Sequence, residues 1–176
     1  MIEGKELVVM NEDTKQSGFT ARELCVTAVM TALVFLATFV PKIPIPLGYA
    51  HLGDAVIFLL AILLPRREAL FAAAVGSALS DVLGGFLLWA VPTLVIKFIM
   101  VEVVCRFAHG SRSKGRIFAA FLLSSLWMAA AYTVFGAALY ASLTAGLASA
   151  PGLLMEGGVN TVAAMVFLPA LLRVKR

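Results

Sequence analysis

Apolar runs and short polar interruptions alternate along this chain. Six apolar runs can be drawn, at about residues 24–40, 52–64, 69–83, 88–105, 117–141 and 157–172. Runs that are hydrophobic all round, rather than on one stripe, predict helices surrounded by other apolar matter. Runs two and three are short for helices crossing a hydrocarbon layer of ~30 Å, which needs ~20 residues. They can instead be drawn as one re-entrant pair. Six separate spans are preferred because the charges then agree.

Counting spans from an inside N-terminus, Lys5, Lys15 and Arg22 precede the first. Arg66 and Arg67 lie between the second and third, and Arg106, Arg112, Lys114 and Arg116 between the fourth and fifth. Arg173, Lys175 and Arg176 follow the sixth. All fall on one side. The other side holds only Lys42, and "LTAGLASAPGLLMEGG", read as the loop before span six, has no Lys or Arg. This positive-inside asymmetry predicts an all-α integral membrane bundle of six transmembrane helices with both termini cytoplasmic. Residues 1–21 read as a cytoplasmic tail, since they lack the apolar core and small-residue cleavage site of a signal peptide. Residues 22–176 form one membrane domain.

Composition agrees. The chain has 176 residues, 61% of them hydrophobic and 14% charged, with a mean hydropathy of +0.99. A soluble domain carries about a quarter charged residues. The net charge of +4 sits in short clusters between apolar runs, so it reads as a topology signal and not as a nucleic-acid surface. Cys25 and Cys105 stand alone at the edges of runs, without metal-type spacing. The expected location is the plasma membrane.

Ionisable groups inside spans are costly and need a partner or a polar cavity. Ser77 and Asp81 are four apart in "GSALSD". Trp89, Thr93 and Lys97 form one helical stripe in "WAVPTLVIK". Glu156 and Asn160 are four apart at the start of span six, and His51 and Asp54 open span two. With Tyr49, these outline a pocket open to the outside, with Lys97 near mid-membrane. Plainer readings stand beside this one. Asp81 and Lys97 read equally as a structural ion pair, and Asp54 as a helix N-terminal carboxylate. Trp89 and Tyr49 read as interfacial aromatics, and Glu156 as an exposed loop carboxylate.

Between spans one and two lies "PKIPIPLGYAHLGDA", residues 41–55. Its prolines predict an extended path, and Gly48 and Gly53 allow turns on either side of Tyr49 and His51. Ala28 and Ala32 in span one are four apart, a spacing that lets another helix approach closely.

In order, "PIPLGYAHLGDA", "GSALSDVLGG" and "WAVPTLVIK" resemble the S components of energy-coupling-factor (ECF) transporters, in particular a branch with a GY-x-HLGD signature after span one. The resemblance spans about residues 22–172. It implies a six-helix membrane protein that binds a vitamin or related micronutrient from outside, without chemistry, cofactor or metal. It implies partners: a T protein, docked here on Ala28 and Ala32, and two ATPases that supply the energy. The implied substrate-binding residues are Tyr49, His51, Asp81, Trp89, Thr93, Lys97, Glu156 and Asn160, under a loop at 41–53. Pyridoxine-like or hydroxymethylpyrimidine-like compounds are implied first, pantothenate next, with a ring on Trp89 and an anion at Lys97. One departure is "LLPRREAL", where a glycine-rich turn is expected between spans two and three.

Other classes remain. No G-x-x-x-x-G-K-[ST] loop is present, so ATP falls to partners. A stand-alone secondary transporter or channel predicts inverted repeats, and none is clear. An intramembrane enzyme predicts an acid, His or metal constellation. There is no HExxH, and His51 and His109 fall on opposite faces.

Overall fold

A computed structural model describes residues 18–174. The expected tail lies outside the described residues over 1–17, as do Lys175 and Arg176. Helix α1 spans Ala21–Phe39 and opens on a capping box. The Thr20 hydroxyl accepts from the Glu23 amide at 3.3 Å, and the Glu23 carboxylate accepts from the Thr20 amide at 2.8 Å, so two orphan donors of the first turn are satisfied.

The chain then forms a small antiparallel hairpin, strand β1 at Ile43–Ile45 and strand β2 at Gly48–Ala50. Ile43 pairs with Ala50 and Ile45 with Gly48. Pro44 thus sits in a two-stranded ribbon, where each strand has a free edge and a missing N–H is tolerated, and Pro46 lies at its turn. This hairpin is the departure from an all-α reading. Leu47, at its turn, has φ +66°, a left-handed conformation that costs a non-glycine residue energy.

Five helices follow: α2 at Gly53–Leu63, α3 at Arg66–Leu83, α4 at Ala90–Ala108, α5 at Lys114–Leu139 and α6 at Leu143–Val174. A single 3₁₀ turn, Leu87–Trp89, leads into α4. Helix α2, with 11 residues, is about 16 Å long. It is the hub: α1, α3, α4 and α6 all pack on it. Its Ile57, Phe58 and Ala61 are fully buried, and Phe58 stacks on Phe121 of α5 with centroids 4.8 Å apart. An apolar run about half the usual length of a spanning helix is therefore the centre of the core.

Among the described residues, four helical stretches are long and apolar enough to cross a membrane: Ala21–Phe39, Leu87–Ala108, Lys114–Leu139 and Leu143–Arg173. Their outward positions carry Val29, Val91, Val134 and Phe167, all more than half exposed, as expected of faces solvated by lipid. Ala28 and Ala32 are also exposed on α1. On its inner side α1 meets α3 closely at Gly76, where a Cβ would lie 2.7 Å from the Thr31 carbonyl oxygen.

The main correction to the sequence reading concerns residues 143–158. They form the first turns of α6 rather than a loop, with Pro151 and Pro169 inside the helix. Gly152 lies against Ile45 of the hairpin, where a Cβ would come 2.9 Å from Ile45 Cγ2, and Gly146 lies against α5. Close packing holds this glycine-rich segment helical against its low intrinsic propensity.

Candidate functional site

The hairpin and the α3–α4 connection close over one end of the bundle. A cavity of about 60 Å³ lies beneath them.

One wall is aromatic. The Tyr49 ring lies 5.1 Å from Phe86 and 5.8 Å from the His51 ring, between centroids. Trp89 lies 5.6 Å from Tyr132, and its indole N–H donates to the Tyr140 hydroxyl at 3.4 Å. The hairpin tip completes the roof. Leu47 reaches the surface of α5 at Gly136, where a Cβ would lie 3.1 Å from Leu47 Cδ1 and 3.3 Å from the Trp89 ring.

A polar cluster on Asp81 forms the second wall. The Tyr49 hydroxyl donates to Asp81 Oδ1 at 3.0 Å, and the Thr93 hydroxyl donates to Oδ2 at 2.5 Å. With the Thr93 hydrogen committed, the Tyr132 hydroxyl donates to Thr93 Oγ1 at 3.0 Å. By the same logic Ser80 donates to the Tyr49 oxygen at 3.2 Å. Both Asp81 oxygens thus have donors, as a buried carboxylate requires.

Glu156 of α6 forms the third wall. Its Oε1 accepts from the His51 amide at 3.1 Å, and the His51 Nδ1 lies 3.2 Å away. Nδ1 also accepts from the Gly53 amide at 3.1 Å, which places the hydrogen of a neutral ring on Nε2.

Asn160, one turn below, does not line the cavity. Its amide donates to the carbonyls of His51 at 2.7 Å and Glu156 at 2.9 Å, and its Oδ1 accepts from the Ala55 amide at 2.8 Å. It fastens the exit of the hairpin to α6 by backbone bonds.

Lys97 also stands back from the cavity. It is 1% exposed and its ammonium lies 2.5 Å from Asp54 Oδ1. The sequence left Asp81 as its partner and Asp54 as a helix-end carboxylate. The geometry gives Lys97 to Asp54 instead. Six of the eight residues expected in the site, Tyr49, His51, Asp81, Trp89, Thr93 and Glu156, do line this one cavity. So do Leu47, Phe86, Tyr132, Ser149 and Leu153, which were not singled out from the sequence. Among the described residues no Lys or Arg lines it. Among the described residues no three His, Cys, Asp or Glu side chains gather as metal ligands.

The GYxHLGD segment has a geometric reading. Tyr49 reaches Asp81, His51 meets Glu156, and Asp54 neutralises Lys97. Gly53 is required by contact, since a Cβ there would lie 2.1 Å from Thr38 Oγ1.

An apolar helical bundle with a polar and aromatic cavity near one end is the architecture of a multi-pass membrane protein. Residues 18–173 match the family model described as the ECF-type riboflavin transporter, S component. The chain belongs to that family, which is one of transporter subunits in the plasma membrane and not of enzymes. A Pyrococcus woesei protein described as "Uncharacterized protein in gap 3'region" is 38% identical over 109 residues, spanning 61% of this chain and 73% of that protein.

Proposed function

We propose that this chain captures a small hydroxylated heteroaromatic molecule of the vitamin class, neutral or positively charged, for ATP-driven uptake. The observation that carries the reading is the lining of the cavity: aromatic rings with two carboxylates, Asp81 and Glu156, and no Lys or Arg. Rings supply stacking surface. Carboxylate oxygens accept hydrogen bonds from hydroxyls or ring N–H groups and repel a second anion. Glu156 offers Oε2, which no protein donor among the described residues occupies.

This charge pattern separates the substrates considered. The riboflavin of the family's description, pyridoxine-like and hydroxymethylpyrimidine-like compounds all present rings and hydroxyls. Pantothenate brings a carboxylate, and Lys97, the cation expected to meet it, is held by Asp54. We therefore rank it last. The proposed substrate-binding residues are Tyr49, His51, Asp81, Trp89, Thr93 and Glu156, with Lys97 and Asn160 holding them in place. The hairpin acts as the cover.

The wider reading has six spanning segments, with α2 and α3 added to the four long apolar stretches, and both termini in the cytoplasm. A T protein docks on Ala28 and Ala32 of α1, and two ATPases drive release of substrate inward. The exposed small-residue strip on α1 supports this.

Two measurements test it. Mass spectrometry of small molecules co-purifying with the protein, followed by calorimetric titration of riboflavin, pyridoxine, hydroxymethylpyrimidine and pantothenate, tests the ligand. A ring compound is expected to bind tightest; pantothenate binding tightest would refute the charge argument. Uptake of the labelled ligand with and without co-expressed T protein and ATPases tests the coupling. Uptake that needs no partner would mean a stand-alone transporter.

A further inference from the structure

At the opposite end of the bundle lies a second, larger recess that the substrate reading does not use. It has a volume of about 550 Å³ and lies between the end of α2, the α4–α5 connection, the start of α5 and the last turns of α6. Two chemistries meet in it. Ile62, Ile117 and Leu168 form an apolar floor, each below a tenth exposed. Arg112, Lys114 and Arg173 stand at the rim, and among the described residues no Asp or Glu lines the recess.

Among the described residues the three cations have no carboxylate partner. Elsewhere at this end Arg66 and Arg106 both pair with Glu102, at 2.7 and 3.0 Å. Three like charges around one opening repel one another unless an anion sits among them.

We propose that this recess binds an anionic phospholipid, its phosphate between Arg112, Lys114 and Arg173 and the start of its chain against Ile117, Leu168 and Leu172. A free phosphate has no use for the apolar floor, and a neutral lipid has none for the three cations. An anionic amphiphile uses both, and basic pockets between helices at the inner side of a membrane recognise such headgroups. The bound lipid would tie together the ends of α4, α5 and α6 at the end of the molecule far from the substrate cavity. The reading does not depend on which vitamin the other cavity takes.

The test is native mass spectrometry of the full chain released from nanodiscs of equal parts phosphatidylglycerol and phosphatidylcholine. Wild type is expected to retain phosphatidylglycerol at least about tenfold over phosphatidylcholine, ~1.4 kcal/mol of preference. The variant Arg112→Ala/Lys114→Ala/Arg173→Ala should lose that preference. A charge-matched control, Arg22→Ala/Arg66→Ala/Arg67→Ala, should keep it. Equal retention of the two lipids by wild type overturns the proposal, and so does equal loss in both variants, which would make the effect one of general surface charge. Inorganic phosphate that displaces the lipid completely at millimolar concentration would show an anion site without a chain site. Vitamin binding by the first variant serves as the folding control.

Discussion

Asp54 and Lys97 lie 43 residues apart in sequence and meet at 2.5 Å, the lysine 1% and the aspartate 0% exposed. Asp54 opens α2 directly beneath the hairpin, and Lys97 sits in the middle of α4. The pair fixes the central helix to a spanning helix at the floor of the polar cluster. Asp54 Oδ2 has no hydrogen-bond partner among the described residues, so the lysine is the main compensation for burying this carboxylate.

Removing one charge should therefore cost more than removing both. Asp54→Asn leaves a buried ammonium without its counter-charge, an expected loss of about 3–5 kcal/mol. Asp54→Asn/Lys97→Met should recover most of it. Thermal unfolding in detergent, followed by loss of the monodisperse peak, checks this. The double variant should bind ligand within about threefold of wild type, ~0.6 kcal/mol. Loss of binding by more than tenfold in a stable double variant would return Lys97 to direct contact with substrate.

Gly53 is expected to refuse any side chain. In Gly53→Ala the new methyl would overlap Thr38 Oγ1 at 2.1 Å, and overpacking of this kind costs about 1–3 kcal/mol. Thr38→Ala removes the obstructing oxygen, which itself has no hydrogen-bond partner among the described residues. The double variant should thus be more stable than Gly53→Ala alone. Equal melting temperatures would show that the clash is relieved elsewhere.

The Tyr49 hydroxyl ties the hairpin to α3 through Asp81. Tyr49→Phe keeps the ring against Phe86 and removes the tie. The expected result is faster ligand dissociation, about three- to tenfold, or ~0.6–1.4 kcal/mol, with little change in melting temperature. Stopped-flow displacement measures it. An unchanged off-rate would mean that the hairpin does not hold the ligand in.

Ala28→Leu/Ala32→Leu changes an exposed strip of α1 far from the cavity. Ligand affinity should stay at the wild-type value while co-purification with the T protein and ATP-dependent uptake fall. A variant that still assembles would place the docking face elsewhere.

Much of this arrangement was legible in the sequence because the membrane makes polar residues conspicuous. Asp81, Thr93 and Glu156 stand out in apolar runs; of the stripe Trp89, Thr93 and Lys97, the first two line the cavity and Lys97 turns to Asp54. The spacing could not say which carboxylate Lys97 meets, since Asp54 and Asp81 both lie on other helices and only packing of α2 decides. Tyr132 was missed because a lone tyrosine in a long apolar helix carries no pattern. Leu47 was missed because its role depends on a backbone conformation that its residue type disfavours. The first turns of α6 were read as loop because Gly146, Pro151 and Gly152 are weak helix formers. Their neighbours, not their own preferences, keep them helical.

The 32 residues of α6 extend about 48 Å at 1.5 Å each, while the hydrocarbon layer is ~30 Å thick. Measured upward from Arg173, an upright helix leaves the oil after about twenty residues, near Leu153, and a ~20° tilt shifts that by only about one residue. Ser149, Leu153 and Glu156 straddle that level. On the proposed topology the candidate cavity sits at the waterline of the bilayer, so a polar ligand can enter it without first dissolving in lipid.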